Sequence, residues 1–217
     1  MVQQLTRDPR ITEQVDVPTR LTMTFEEFRD WYTEGRRGEW VDGEVIPFVA
    51  PKTIHQRLSI FLAWLLSVYV RDHGLGEVLP GPEMRLRDGG SYREPDIAFV
   101  ATAHAGRISA DGIDGPADLV IEIVSDDSVR RDRKHKFDEY EAAGVREYWV
   151  VDPRPNRRFV LAYHLNDEGF YDLIPSIAVS RIRSTILPGL WIDSSWLWQE
   201  PLPDPRAKLA EITSAGE

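Results

Sequence analysis

Three side chains stand where their chemistry needs an explanation. Glu122 lies inside Leu119-Val-Ile-Glu-Ile-Val124, with aliphatic residues on both sides. Strand periodicity puts Val120, Glu122 and Val124 on one face and Leu119, Ile121 and Ile123 on the other. A carboxylate buried there costs several kcal/mol unless it meets a cation or takes a proton. It therefore reads as a metal ligand or catalytic carboxylate, against the alternative of a structural salt bridge or a strand end open to water. Asp96 follows Pro95 and opens Asp96-Ile-Ala-Phe-Val100, where it shares a face with Ala98 and Val100. An Asp after Pro is ordinarily turn chemistry. Two acidic residues on adjacent strands, however, can together supply the oxygen ligands of a hard divalent cation such as Mg²⁺.

The third side chain is Lys136. Asp132, Lys136 and Tyr140 recur at i, i+4 and i+8, so they line one face of the helix that follows the Glu122 strand. Lys136 can reach back to Glu122, or it can form only a solvated pair with Asp132. Beside bound metal and phosphate, a lysine stabilises the charge that develops on phosphorus or orients the attacking water. The same helix carries Arg130, Arg131, Arg133, Lys134 and His135, the densest basic cluster of the chain. Phosphate contacts are a use for it; a solvated helix face is the other.

The elements that must position these groups follow from local signals. Thr24 and Glu27 form a capping box for a helix over Phe25–Thr33. Glu39–Val49 alternates and breaks at Asp42-Gly43, a hairpin signal. Thr53 and Gln56 repeat the capping pattern for a helix from Ile54 to about His73, ended by Gly74. Leu79–Pro82 reads as a loop, with short strands at Glu83–Leu86 and Ile97–Val100 around the turn Asp88-Gly89-Gly90. Ala101–Asp118 is poor in large apolar residues and is expected to be a long functional or mobile loop. Leu119–Val124 reads as a strand covered on both faces. Ser125–Ser128 supplies cap chemistry for a helix from about Val129 to Ala143, stopped at Gly144. Glu147–Val151 is a second buried strand, and Arg158–His164 with Phe170–Leu173 a hairpin. The order of elements predicts an α/β fold with a mixed, twisted β-sheet flanked by helices. Residues 1–18 are expected to be a flexible arm, 19–198 a single domain, and the Pro-rich 199–217 a tail.

Composition narrows the function. The 217 residues include 26 basic and 36 acidic side chains, a formal net charge of −10, so no global field draws the chain to nucleic acid or to anionic lipid. With no cysteine, disulfides, zinc–thiolate sites and thiol catalysis are all excluded. The apolar stretch Leu58–Val70 is shorter than the roughly 18–20 residues a bilayer requires, and no apolar run opens the chain. The expectation is a cytoplasmic protein without a membrane partner. The apolar helix is explained by a buried core or by a homodimer contact.

Taken in order, the residues resemble the PD-(D/E)XK nuclease core with a displaced lysine, and more closely the Uma-two family of restriction-endonuclease-like proteins. The resemblance rests on Glu39-Trp-Val-Asp-Gly-Glu44, His55, Glu94-Pro-Asp-Ile97 and Asp118-Leu-Val-Ile-Glu-Ile-Val-Ser125. It continues through Asp132, Lys136, Tyr140 and Gly144-Val-Arg-Glu-Tyr-Trp-Val-Val-Asp-Pro153. It implies that Asp96 and Glu122 bind Mg²⁺ (or Mn²⁺), that Lys136 contacts the scissile phosphate or the nucleophile, and that the reaction is DNA phosphodiester hydrolysis. Glu39, His55, Tyr140 and Asp132 are implied as supporting residues. Arg130, Arg131, Arg133 and Lys134 are candidate DNA contacts. The position two after Glu122, where the superfamily usually keeps its lysine, is Val124, and Asp126 stands where the family commonly has proline. The rival expectation is a non-catalytic interaction module that keeps Glu122 and Lys136 as a buried ion pair.

Overall fold

The computed structural model describes residues 21–33, 36–48, 50–86, 90–124, 131–176 and 180–214, without the side chains of 131–133. The expected arm at 1–18, the Asp88-Gly89 turn and the Ser125–Ser128 cap lie outside the described residues. Chain contacts separate two compact units, residues 1–48 and 49–217.

The first unit contains β1 (Leu21–Thr22), α1 (Phe25–Thr33), β2 (Gly38–Val41) and β3 (Glu44–Pro47). The capping box forms as its residue types require: the Thr24 amide donates to Glu27 Oε2 at 2.8 Å, and the Glu27 amide donates to Thr24 Oγ1 at 3.2 Å. Asp42 and Gly43 take φ of 48° and 88°, the left-handed pair that a two-residue hairpin turn needs, and Val41 pairs with Glu44. Phe28 is fully buried, and the Trp40 indole donates to the Met23 carbonyl at 2.8 Å.

The second unit begins with α2 (Thr53–Asp72), β4 (Gly76–Pro80), β5 (Met84–Arg85), β6 (Tyr92–Arg93) and β7 (Ile97–Ala101). It continues with β8 (Ile108–Ser109), β9 (Gly112–Asp114), β10 (Leu119–Ile123), α3 (Arg131–Ala143), β11 (Glu147–Asp152), β12 (Phe159–Leu165) and β13 (Tyr171–Leu173). It closes with β14 (Arg181–Arg183), β15 (Trp191–Asp193) and α4 (Pro205–Ser214). The central sheet runs β13-β12-β11-β10-β7-β4. Only β10 and β11 pair in parallel within it, so the sheet is mixed, as the order of elements required. Leu119, Ile121 and Ile123 pack with Leu58, Leu62, Leu65 and Leu66 of α2. On the opposite face Val120 and Val124 pack with Tyr140 and Tyr148 in the α3 cluster. Helices on both faces explain the nearly continuous apolar run of β10, broken only by Glu122. The same packing accounts for most of the apolar surface of α2, which leaves Ile60 exposed.

Four expectations change. α2 starts at Thr53 with Lys52 as its cap residue, because the Gln56 amide bonds the Lys52 carbonyl; no side chain caps it. Leu79 and Pro80 belong to β4 rather than to a loop, and β4 is an edge strand, where a proline's missing N–H costs nothing. Gly76 makes this edge possible: its φ is 150°, and a Cβ there would lie 2.1 Å from the Val100 carbonyl oxygen. Residues 101–118 fold into a 3₁₀ turn (Thr102–Arg107) and the β8–β9 hairpin, tied by Arg107 Nη1 donating to the Pro116 carbonyl at 2.6 Å. The Pro-rich end carries α4, with Ile212 buried. Its start was encoded in Asp204-Pro205, a capping carboxylate before a proline at the first helical position: Asp204 Oδ1 accepts from the Arg206 amide at 2.9 Å.

Candidate active site

The antiparallel register of β7 and β10 pairs Ile97 with Ile121 and Ala98 with Val120. Carried one residue further, it sets Asp96 across from Glu122, so both carboxylates occupy one end of the central sheet. Neither lies loose. Asp96 Oδ2 accepts from the Ile123 amide at 2.6 Å, and His55 Nε2, from the first turn of α2, lies 3.0 Å from each Asp96 oxygen. From the other face of the sheet, α3 brings Lys136 Nζ to 2.9 Å and the Tyr140 hydroxyl to 2.8 Å from Glu122 Oε1. Lys136 and Tyr140 are one turn apart, so one helix face meets one carboxylate oxygen. The Lys136 and Glu122 side chains are 9% and 13% exposed, which makes this an ion pair largely removed from water.

Among the supporting residues, His55 and Tyr140 stand at the site. Glu39 is half-buried on β2, within the first unit. The side chain of Asp132, those of Arg131 and Arg133, and all of Arg130 lie outside the described residues; Lys134 is exposed on α3. Sequence reasoning missed the anchoring of Asp96 by a backbone amide. No residue pattern signals it, since it depends on which strand lies alongside.

Burial pulls the His55 imidazole down, but the hydrogen bond and charge of Asp96, the charge of Glu122 and the Ile123 backbone outweigh it. Its pKa stands above the ordinary 6.5. Because the folded value is raised, the stabilisation it brings is fully present below about pH 6.5 and is lost as pH rises through the folded value. Urea denaturation in EDTA should show wild type exceeding His55→Gln by a larger margin at pH 5.5 than at pH 8.5. An equal margin at both pH values would remove the charged His55–Asp96 pair.

The donor set suits Mg²⁺. That ion is commonly held by one or two carboxylates, with its remaining positions left to water and substrate phosphate. Among the described residues no group of three or more His, Cys, Asp or Glu could hold a metal.

The sequence profile of the Uma2 family, described as "Putative restriction endonuclease", matches residues 25–195. The chain belongs to the Uma2 family. The crystal structure of a "putative nuclease belonging to DUF820" from Anabaena variabilis ATCC 29413 superposes with a TM-score of 0.66 at 17% identity, over 81% of this chain and 97% of that one. It shows the shared fold. The uncharacterised protein sll1609 of Synechocystis sp. (strain ATCC 27184 / PCC 6803 / Kazusa) is 23% identical over 117 residues, 54% of this chain. The match spans 66% of that relative, just under two thirds of its length. The solved structure thus bears on the fold alone, and the description "Putative restriction endonuclease" is that of the family. Among the described residues no helix is long and apolar enough to cross a membrane.

Proposed function

We propose that this Uma2 protein is a Mg²⁺-dependent endonuclease that hydrolyses DNA phosphodiester bonds in the cytoplasm. The observation that carries the reading is the β7–β10 register, which continued by one residue sets Asp96 across from Glu122, with Lys136 Nζ 2.9 Å from Glu122. Asp96 and Glu122 would hold the ion, which when bound lowers the pKa of the attacking water and offsets charge on the phosphate; Mn²⁺ can replace it. Lys136 supplies a fixed positive charge beside the reacting phosphate. The Tyr140 hydroxyl and the Lys136 ammonium hold the Glu122 carboxylate in one orientation. His55 and the Ile123 amide do the same for Asp96. This is positioning paid for before substrate arrives. The net charge of −10 implies weak DNA binding without metal and steep salt dependence with it.

Incubation with supercoiled plasmid tests the reading. Nicked or linear product is expected with Mg²⁺ or Mn²⁺ and none with EDTA, and Asp96→Asn is expected to be inactive. Folded wild type that leaves plasmid intact with both metals, and single-stranded DNA as well, would defeat it.

One observation favours a second reading. The Glu122 charge already has a cationic partner in Lys136, as a non-catalytic interaction module, dimerising through its apolar helix, would require. Mn²⁺ titration followed by electron paramagnetic resonance separates the two. The nuclease binds Mn²⁺ and loses that binding in Asp96→Asn; the module binds none.

A further inference from the structure

The parallel pairing of β10 with β11 brings a second feature to the catalytic end of the sheet. Glu122 pairs with Val150, and the Val124 amide bonds the Val151 carbonyl at 2.8 Å, so β11 runs out past the site and turns back at Asp152, which pairs with Phe159 of β12. The turn between them is Pro153-Arg-Pro-Asn-Arg-Arg158, with three arginines in six residues of an acidic chain.

These arginines are not equivalent. Asp152 is fully buried and accepts from the Arg154 amide at 3.1 Å, from its Nε at 2.9 Å and from its Nη2 at 2.6 Å. The bidentate pair neutralises Arg154 and stiffens the start of the turn. The Arg154 carbonyl then accepts the Arg157 amide at 2.9 Å, closing it. Arg157 and Arg158 are exposed, and neither side chain has an ion-pair partner among the described residues. Two uncompensated positive charges thus stand on a braced turn. At about 3.3 Å per residue the turn begins roughly 10 Å beyond Glu122 along the strands, and one strand spacing, about 4.8 Å, to the side. That offset suits a phosphate flanking the scissile one, with two prolines holding down the turn's own freedom.

We infer that Arg157 and Arg158 clamp the DNA backbone next to the cleavage site, contacting phosphates without reading bases. This rests on the nuclease reading and adds to it the surface that holds the substrate. A net charge of −10 makes such a local patch necessary, because phosphate neutralisation supplies most nonspecific affinity. Asp152 acts as a positioning residue for the turn, through Arg154.

Fluorescence anisotropy with a short labelled duplex of mixed sequence, in Ca²⁺ over a salt series, tests the inference. Arg157→Gln with Arg158→Gln is expected to weaken binding about 10- to 100-fold near 0.1 M salt and to flatten the salt slope by about 2, equally for unrelated duplex sequences. Arg71→Gln, at the far end of α2, removes an exposed charge elsewhere and should leave the slope unchanged. Because both turn arginines are exposed, denaturation midpoints of the double variant should match wild type. If the double variant keeps the wild-type slope while wild type binds DNA and cleaves plasmid, the clamp is refuted and the nuclease stands. Base-dependent losses would likewise overturn a pure backbone contact. If wild type neither binds nor cleaves, both readings fall together.

Discussion

Glu122→Gln is expected to reduce metal-dependent plasmid cleavage by about 10²–10³-fold or more, the usual consequence of losing one charge-stabilising group at a reacting centre. The substitution keeps the side chain's size and an acceptor for Lys136 and Tyr140, so the loss reports charge rather than shape. It carries a stability cost as well. Lys136, 9% exposed, would lose the carboxylate charge 2.9 Å from its Nζ. Removing one partner of a buried pair costs about 3–5 kcal/mol, and glutamine's retained acceptor should bring this variant toward the lower end. Lost activity could then be mistaken for unfolding. The double variant Glu122→Gln with Lys136→Met separates the two, since methionine fills the lysine's path without its charge. Its denaturation midpoint should return toward wild type while cleavage stays absent. A double variant that recovers cleavage with stability would show that Glu122 serves only the fold.

The second large effect lies at the opposite end of the same sheet. Glu147 is fully buried, and its register partner in β10 is Leu119, not Glu122. Its Oε1 accepts from the Trp149 indole at 2.7 Å. Its Oε2 accepts from the Thr185 amide and hydroxyl, both at 2.7 Å, and from the Ile186 amide at 3.3 Å. This carboxylate is a clip between β11 and the segment joining β14 to β15. Glu147→Ala would strand these donors in a dry interior and open a cavity, costing about 4–5 kcal/mol. In a unit of this size that corresponds to a fall of about 10 °C or more in melting temperature. Glu147→Gln should cost less, about 1–3 kcal/mol, because its amide can face Oε2's three donors with oxygen only by turning an N–H toward the indole N–H. Cleavage per folded molecule should be unchanged in both. A melting temperature within 2 °C of wild type for Glu147→Ala would mean the clip is not structural.

Glu122 and Glu147 contrast in what their sequence contexts reveal. Both are carboxylates flanking or interrupting apolar strands, and each therefore signals a need for partners. For Glu122 the partner could be anticipated: helical spacing set Lys136 and Tyr140 on one face directly after the strand, and both reach Oε1. For Glu147 the donors come from residues 185 and 186, whose position beside β11 no local pattern conveys. Lys136 is thus a near-sequence event, and the Thr185 clip a long-range one.

The elements followed the same division. Thr24 and Glu27, and Asp42-Gly43, produced their capping box and turn because every interaction involved spans a few residues. The apolar run Leu119–Val124 announced burial on both faces. The strand β4 was hidden, since Pro80 reads as a breaker until an edge position removes the need for its N–H. The helix α4 was hidden because its few apolar residues acquire meaning only beside α2, against whose cluster Leu209 packs.

The sequence by itself determined which groups could not be left alone: a glutamate within an aliphatic strand, an aspartate at a strand's start, and a lysine and tyrosine on one helical face. Propensity, periodicity and desolvation act over short stretches and suffice for that. Strand register, a tertiary property, set Asp96 across from Glu122, since a one-residue slip between β7 and β10 would send them to opposite faces. Only the tertiary structure brought His55 to Asp96 and the Arg157–Arg158 turn to the same sheet end, because strand order and register are set by the packing of the whole sheet between α2 and α3.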